Sequence, residues 1–440
     1  MLQPSIARNP LALRKLLELC MQTGKFPLNH FLNCKLNRMK LRSGKTTKPF
    51  DGRQRTRGPR LATFDTPVAN ARPSAGTGRQ RRPETRANKA NRITKWPRDI
   101  KHTEPRGLQN PSIMCYRNAL LQCLLHLPAF CGHLRAVHQE CPLPVEECAV
   151  CALQELEQKY WGDRTSADFP REPDERGGAI ATFDEAFSSC CPEGNQYYEM
   201  ATGWRQEDPH EFLLFLHSEL SAVEHHKSNR LDRLFMFKQV ARWTCEHCNA
   251  DCHAKNDNAC MELGVQKPKQ TVSLMDLIRR YHTDSRDWYC TEPGCEAERQ
   301  LRREAGMDEE EIKRRKKLLM DFKISQAPEV LCIELKRSGF GGTNKKIKDD
   351  IPYDEELDMT EFTEDESELK YRLFSVVAHS GPSPKSGHHI AAVRKREKGF
   401  QTISDLDREE LETPDFYELR YPSFEKRTFD PVLLFYSRTA

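Results

Sequence analysis

Cys115 and the paired His388 and His389 far downstream carry the sharpest chemical signal in this chain. Cys115 closes a polar turn, Gly107-Leu-Gln-Asn110-Pro-Ser-Ile-Met-Cys115, and opens an apolar run in which Leu120, Leu121, Leu124, Leu125 and Leu127 recur at helical spacing. A thiol at a helix N-terminus meets a partial positive charge, and with an imidazolium beside it its pKa can fall from about 8.5 to roughly 3.5–7.5. Such a nucleophile needs a base. Ser386-Gly-His388-His389-Ile-Ala391 follows the strand-like run 371–379 and precedes a short apolar run to Val393, which sets an imidazole at a strand edge beside a loop. That imidazole would relay a proton between the thiol and a leaving amine. His388 is the leading choice, with His379 and His389 also in reach along the sequence. Asp405, in Ser404-Asp405-Leu-Asp407, would orient the ring and stabilise its protonated form, with Ser404 and Asp407 competing for that role.

The remaining cysteines, out of 17 in all, point to metal. Arg14, Lys15 and Glu18 interrupt any secretory apolar run, so a reducing compartment is expected, where closely spaced thiols are ligands before they are disulfides. Cys245-Glu-His-Cys248 and Cys290-Thr-Glu-Pro-Gly-Cys295 form two knuckles able to complete a tetrahedral Zn²⁺ shell. The second knuckle is wider than usual, and Cys252, Cys260, His247 and His253 are alternative ligands. His138, Cys141, Cys148 and Cys151 make a second set, readable as another zinc site or as ordinary buried cysteines at a helix start.

These groups need a scaffold, and 440 residues at 37% hydrophobic and 30% charged, with mean hydropathy -0.76, allow a large core plus a tail. No run approaches the roughly 18 apolar residues of a membrane span. The net charge of +4 hides an asymmetry: residues 1–106 carry 25 Lys/Arg against 6 Asp/Glu, and the remainder 44 against 59. This is a basic arm on an acidic body. The stretch 40–98 has few large apolar residues and no sustained periodicity and is expected to be disordered, with only 10–21 reading as a short helix that bears a faint likeness to a mitochondrial presequence. Arg53, Arg55, Arg57, Arg60, Arg79, Arg81, Arg82 and Arg86 could contact phosphates of nucleic acid or serve as a nuclear address for an import receptor, with too few aromatics for base stacking. Nucleus or cytoplasm is the expected compartment. Residues 297–317 read as an exposed, charged helix inserted after the second knuckle.

Taken together, the motifs resemble the ubiquitin-specific proteases. Gly107 to Gln122 is similar to that family's Cys box (GLxNxGNTCYxNSxLQ) and Ser386 to Val393 to its His box (GHYxAxV). Between them Gln206-Glu-Asp208-Pro-His210-Glu211-Phe212-Leu213 resembles QQDAHEFL and Leu331-Cys-Ile333-Glu-Leu335-Lys336-Arg337 resembles LxIxLKRF, while Leu434-Phe435-Tyr436-Ser-Arg438 matches a closing LFYxR strand. The likeness runs over 107–440.

The resemblance implies an α+β, papain-like fold: a helical thumb over about 107–230, β-rich fingers within about 235–330 tipped by zinc on Cys245, Cys248, Cys290 and Cys295, and a palm in the remainder. It also implies Cys115 as nucleophile, His388 as base, Asp405 as orienting acid and Asn110 as oxyanion donor, acting on ubiquitin conjugates through a thioester. The alternative is a catalytically weak or inactive ubiquitin-binding scaffold of the same fold. Asp208, Glu211 and other acids are expected to meet the basic ubiquitin tail. The chain departs from the family pattern at Ser112-Ile113-Met114 (Gly-Asn-Thr in the family), at His389 for the aromatic, at Ser338 for the Phe after Lys-Arg, at Phe400 for Trp, and at Ser404 for the first acid or amide before Asp405. The lost glycine is expected to alter how the Cys loop presents its donors.

Overall fold

A computed structural model describes Trp96, Pro97, Ile100 and, with gaps, residues 106–439; the larger gaps are 163–172, 224–232, 266–271, 313–315, 338–345 and 411–416. Apart from Trp96, Pro97, Ile100 and Arg106, the basic arm, with the 10–21 helix, lies outside the described residues.

Six helices form the first layer: α1 (Cys115–Leu125), α2 (Pro128–Ala136), α3 (Ala149–Trp161), α4 (Pro173–Cys190), α5 (Tyr198–Thr202) and α6 (Pro209–Val223). Proline at its first turn starts α2 without losing a hydrogen bond, because those N–H groups have no partner within a helix. Asp208 caps α6 by accepting from the His210 N–H at 2.8 Å. The leucines of α1 were expected to make one apolar stripe. Instead all eleven of its residues are buried, polar ones included, because helices cover one side and a sheet the other. Around it pack Phe183, Phe187, Phe212 and Phe215, the Phe187 and Phe215 rings 4.5 Å apart. Arg135 clamps α2 to α3 with a forked pair onto the fully buried Glu157.

The central sheet is ordered β12-β11-β10-β9-β15-β7-β3, from β3 (Met261–Gly264), β7 (Val330–Lys336), β9 (Lys370–Ser383), β10 (Ser386–Arg394), β11 (Phe400–Ser404), β12 (Asp407–Glu410) and β15 (Asp430–Arg438), with β8 (Glu356–Asp358) beside β9. Among the described strands of this sheet, only β3 with β7 is parallel. Period-two alternation sorts its side chains into two cores: Val377, Ala391, Val393, Leu433 and Phe435 join the helices, while Val376, Ala378, Ile390, Ala392, Leu434 and Tyr436 face the other way. That second face is covered by α7 (Leu274–His282), which starts at a reciprocal Ser273–Asp276 capping box. The histidine pair lies near the start of β10, where it pairs with β9 and before the pairing with β11 begins at Ala391.

A third region rises from β1 (Phe237–Thr244), β2 (Asp251–Asn258), β4 (Thr283–Trp288), β5 (Lys316–Asp321), β6 (Lys323–Gln326) and α8 (Pro293–Glu304). The charged stretch 297–317 is not one helix. α8 begins early enough to carry Cys295, a turn at Gly306 (φ 77°) ends it, and Lys316 and Lys317 enter β5. The folded unit also starts before Gly107: Ile100 is buried, Trp96 packs edge-on to Trp161 at 5.1 Å, and Arg106 donates to the carbonyl oxygens of Lys159 and Gly162. The small hairpin of β13 (Ser423–Phe424) and β14 (Arg427–Thr428) precedes β15.

Candidate active site and zinc fingers

Cys115 opens α1, as expected, and faces the β9–β10 hairpin. The loop before it is organised by Asn110, whose Oδ1 accepts from the N–H groups of Ser112 (3.2 Å) and Met114 (3.0 Å). None of Ser112, Ile113 and Met114 adopts a left-handed backbone, so the missing family glycine demands no strain here. The Asn110 amide donates to Asp405 Oδ2 at 3.0 Å, and Asn118 Nδ2 reaches Asp405 Oδ1 at 2.8 Å. Asp405 itself sits in the two-residue turn joining β11 to β12, at φ 50°. That left-handed conformation, which Asp tolerates better than most residues, directs both its carboxylate and its carbonyl towards α1, where Leu108 N–H and Gln122 Nε2 meet the carbonyl. Asp405 thus braces the Cys loop. Its carboxylate is engaged by these two amides, and Ser404, the competing candidate for the ring, has its Oγ 2.8 Å from His388 Nε2.

The two neighbouring histidines divide the site. His389 Nδ1 lies 3.7 Å from Cys115 Sγ. It has the same strand parity as Ala391 and Val393, whose side chains join the helical core, so alternation turns it towards α1. His388 is half-buried and turns to Ser404, just after a register shift between Ser386 and His388. Burial, reinforced by the charges of His379, His388 and Lys346, holds His389 well below the ordinary imidazole pKa. Burial pushes the Cys115 thiol up to about 11; the His389 N–H pulls it down, the Asp405 charge pushes it further up, and the Tyr116 N–H draws it back a little. At rest the pair is therefore a neutral thiol beside a neutral imidazole.

Gln206 is a site residue that motif reading passed over. Its amide makes a two-way clasp with Gly387, donating to the carbonyl at 2.5 Å and accepting from the N–H at 2.8 Å, and its Nε2 lies 4.0 Å from Cys115 Sγ. Gly387 has φ 151°, and a Cβ there would stand 2.3 Å from the Ser380 carbonyl oxygen, so only glycine fits. Between the clasp and the Cys loop opens a cleft of about 550 Å³ lined by Ile113, Arg205, Gln206, Glu207, Ser386 and Gly387. Its position at the head of the Gln206 to Leu213 motif was the signal that could have singled out Gln206.

At the far tip, Cys245, Cys248, Cys290 and Cys295 converge in a zinc-finger-like site, with 3.7 Å between the sulfurs of Cys245 and Cys295 and again between Cys248 and Cys290. A tetrahedron of thiolates about 2.3 Å from zinc has edges of about 3.8 Å, so the residues fit the ion. Burial alone would raise the Cys245 thiol, yet the N–H groups of Cys248 and His247, with the Cys248 and Cys290 thiols, bring it to about 6. The alternative ligands fall away: His247 and His253 are exposed, Cys252 turns to the Ala250 carbonyl, and Cys260 faces Cys332 at 3.3 Å.

Among known proteins, the family model described as ubiquitin carboxyl-terminal hydrolase matches residues 106–436. Ubiquitin carboxyl-terminal hydrolase 10 of Saccharomyces cerevisiae is 24% identical over 392 residues, covering 75% of this chain and 48% of the relative, and ubiquitin carboxyl-terminal hydrolase 25 of Arabidopsis thaliana is 27% identical over 320 residues, covering 66% and 42%. The chain therefore spans about half the length of these curated relatives. A solved structure described as the SAGA DUB module of Ubp8, Sgf11, Sus1 and Sgf73 bound to monoubiquitin shares the fold at TM-score 0.58 and 18% identity, over 77% of this chain and 72% of that one. A thiol at a helix start, a histidine strand across a cleft, a cysteine-tipped finger region and a family model spanning all three lead to one conclusion: the chain belongs to the ubiquitin carboxyl-terminal hydrolase family.

Proposed function

We propose that the chain is a thiol-dependent deubiquitinase that cleaves the isopeptide or peptide bond after the C-terminal glycine of ubiquitin. The observation that carries this is the meeting of Cys115, at the start of α1, with the Gly387–His389 strand across a cleft open to an extended peptide tail. Glu207, Asp208 and Glu211, at the cleft and the start of α6, are acids placed to pair with a basic tail.

In this reading His388 is the base, with its Nε2 held by Ser404 and its Nδ1 left for the thiol once the tail orders the cleft. Nucleophile–base contacts are often long before substrate binds. His388 Nδ1 takes the thiol proton, the thiolate adds to the glycine carbonyl, and the tetrahedral oxyanion accepts hydrogen bonds from the Asn110 amide and N–H groups at the start of α1. The imidazolium returns its proton to the departing amine, leaving a thioester. Water, deprotonated by the same imidazole, then releases the ubiquitin carboxylate and restores the thiol. Asp405 fixes Asn110, and His389 packs beneath the sulfur without taking part in proton transfer.

The test is labelling of the purified chain with ubiquitin bearing a C-terminal thiol-reactive group. One ubiquitin per chain, lost in Cys115→Ala and slowed at least a hundredfold in His388→Ala but not in His389→Tyr, is expected. Loss in His389→Tyr with His388→Ala unaffected would transfer the base to His389. The raised Cys115 thiol favours a second reading, an inactive ubiquitin-binding scaffold; binding without adduct would establish it. The Arg-rich arm supports a nuclear address or polyanion contact, and deleting residues 1–90 is expected to leave turnover within a few-fold while abolishing nuclear accumulation of a fluorescent fusion.

A further inference from the structure

We propose that the thumb carries its own structural Zn²⁺, held by His138, Cys141, Cys148 and Cys151. Their ligand atoms all lie within 4.8 Å of one another, although they come from the end of α2, the connecting loop and the first turn of α3. His138 Nε2 stands 3.4 Å from Cys148 Sγ. A nitrogen about 2.0–2.1 Å and a sulfur about 2.3 Å from a tetrahedral zinc are about 3.5 Å apart, so this edge already has the length the ion imposes.

The backbone is bent to make it so. His138 is left-handed, at φ 58°, directly after α2 ends at Val137, and this conformation swings the imidazole back over the start of α3. Cys148 takes the N-cap position of α3 without giving it a side-chain cap, leaving its sulfur to the cluster, and Cys151 follows one turn later on the same helix. Among the described residues of the connection 137–148, the only regular piece is the single turn Val145–Glu147. Polar links hold the two helices on either side of it: Gln154 donates to the carbonyl oxygens of Leu134 and Val137, each at 2.7 Å, and Arg135 pairs with Glu157. Neither link reaches Cys141. The ion would fasten the loop between them. Cys141, Cys151 and His138 are half-buried, which leaves a path for the metal. A Cys-x-x-Cys pair at a helix start also suits a redox disulfide, but a disulfide uses two sulfurs and gives Cys141 and His138 no reason to converge.

Metal content of the full chain decides the matter. Two zinc ions per chain are expected in the wild type, one in Cys151→Ser, one in Cys248→Ser and none in the double variant. Because Cys151→Ser could unfold the thumb, two further measurements stand beside it. His138→Cys should keep two ions, and cobalt-loaded Cys248→Ser should show the thiolate-to-metal absorption of a three-thiolate site, shifting in His138→Cys. One zinc per chain in the wild type, or two in Cys151→Ser, would overturn the proposal. Loss of two titratable thiols on oxidation, with one zinc present throughout, would replace it with a Cys148–Cys151 disulfide.

Discussion

Cys115 and Cys245 are both buried thiols next to helix or knuckle N–H groups, yet burial leaves one near 11 and the other settles near 6. The difference lies in what surrounds the sulfur. Cys245 receives N–H groups from Cys248 and His247, together with the Cys248 and Cys290 thiols, in a turn closed around it, whereas at Cys115 burial and the Asp405 carboxylate outweigh the N–H groups of His389, Tyr116 and Cys115 itself. Desolvation favours the neutral thiol by default, and only donors directed at the sulfur reverse it. In the fingers one thiol is lowered while burial keeps its partners Cys290 and Cys295 raised, so zinc itself must complete their ionisation; the cleft holds its nucleophile protonated until a substrate supplies what is missing.

The largest test of this contrast removes the partners. Cys115→Ala should abolish turnover, and His388→Ala should lower it by roughly 10²–10⁴-fold, measured as hydrolysis of a fluorogenic ubiquitin amide; a His388→Ala enzyme within tenfold of wild type would break the assignment. Next is the resting thiol. Modification of Cys115 by iodoacetamide without ubiquitin should rise about tenfold per pH unit from pH 7 to 10, because the thiolate fraction does so below a pKa of about 11. A plateau near pH 7 would mean that the ion pair is already formed. In the fingers, Cys248→Ser should release zinc and cost on the order of 3 kcal/mol, read as a lowered urea midpoint, since metal binding there is folding energy.

Acid should weaken the body by a smaller amount. Burial lowers His126, His282 and His379 to about 4, so between pH 6.5 and 4 the unfolded chain binds protons that the folded chain refuses, and stability falls as pH falls through that window. Buried His389, held well below the ordinary value, adds to that loss, while Glu334, pushed up to about 7 by burial, and its partner His210, raised to about 10, work in the opposite sense. A net loss on the order of 2 kcal/mol from pH 7 to 5 is expected in urea titrations. The smallest effect is Ser404→Ala, which removes one neutral hydrogen bond of about 1 kcal/mol and should lower turnover about fivefold; Ser404→Asp should raise it.

Most of this architecture was legible because its motifs are local. The Cys turn, the Gln206 to Leu213 helix and the knuckles each fix a short stretch of chain whose spacing alone reveals its geometry. The division of labour between His388 and His389 was not legible, since it depends on strand parity and on a register shift beside Ser386, which only the pairing with β9 sets. The surroundings of Asp405 were hidden for a related reason. A left-handed turn sends its carboxylate to Asn110 and Asn118 and leaves Ser404, one residue earlier and on the strand, to meet the ring. The early start of the folded unit was hidden because Trp96 and Ile100 are isolated apolar residues within a basic stretch and show no periodicity.

The place of β15 has a consequence for how the molecule comes into being. This strand is the last one made among the described residues, yet it lies in the middle of the sheet, between β9 and β7. On the ribosome the histidine hairpin and the Leu331 strand must wait, each with an open edge, until residues 430–438 emerge to join them. Cys115 is translated long before, so vectorial synthesis keeps the nucleophile apart from a finished cleft until residues 430–438 have emerged. Clipping those few residues would not trim the fold at its margin but take out its middle strand.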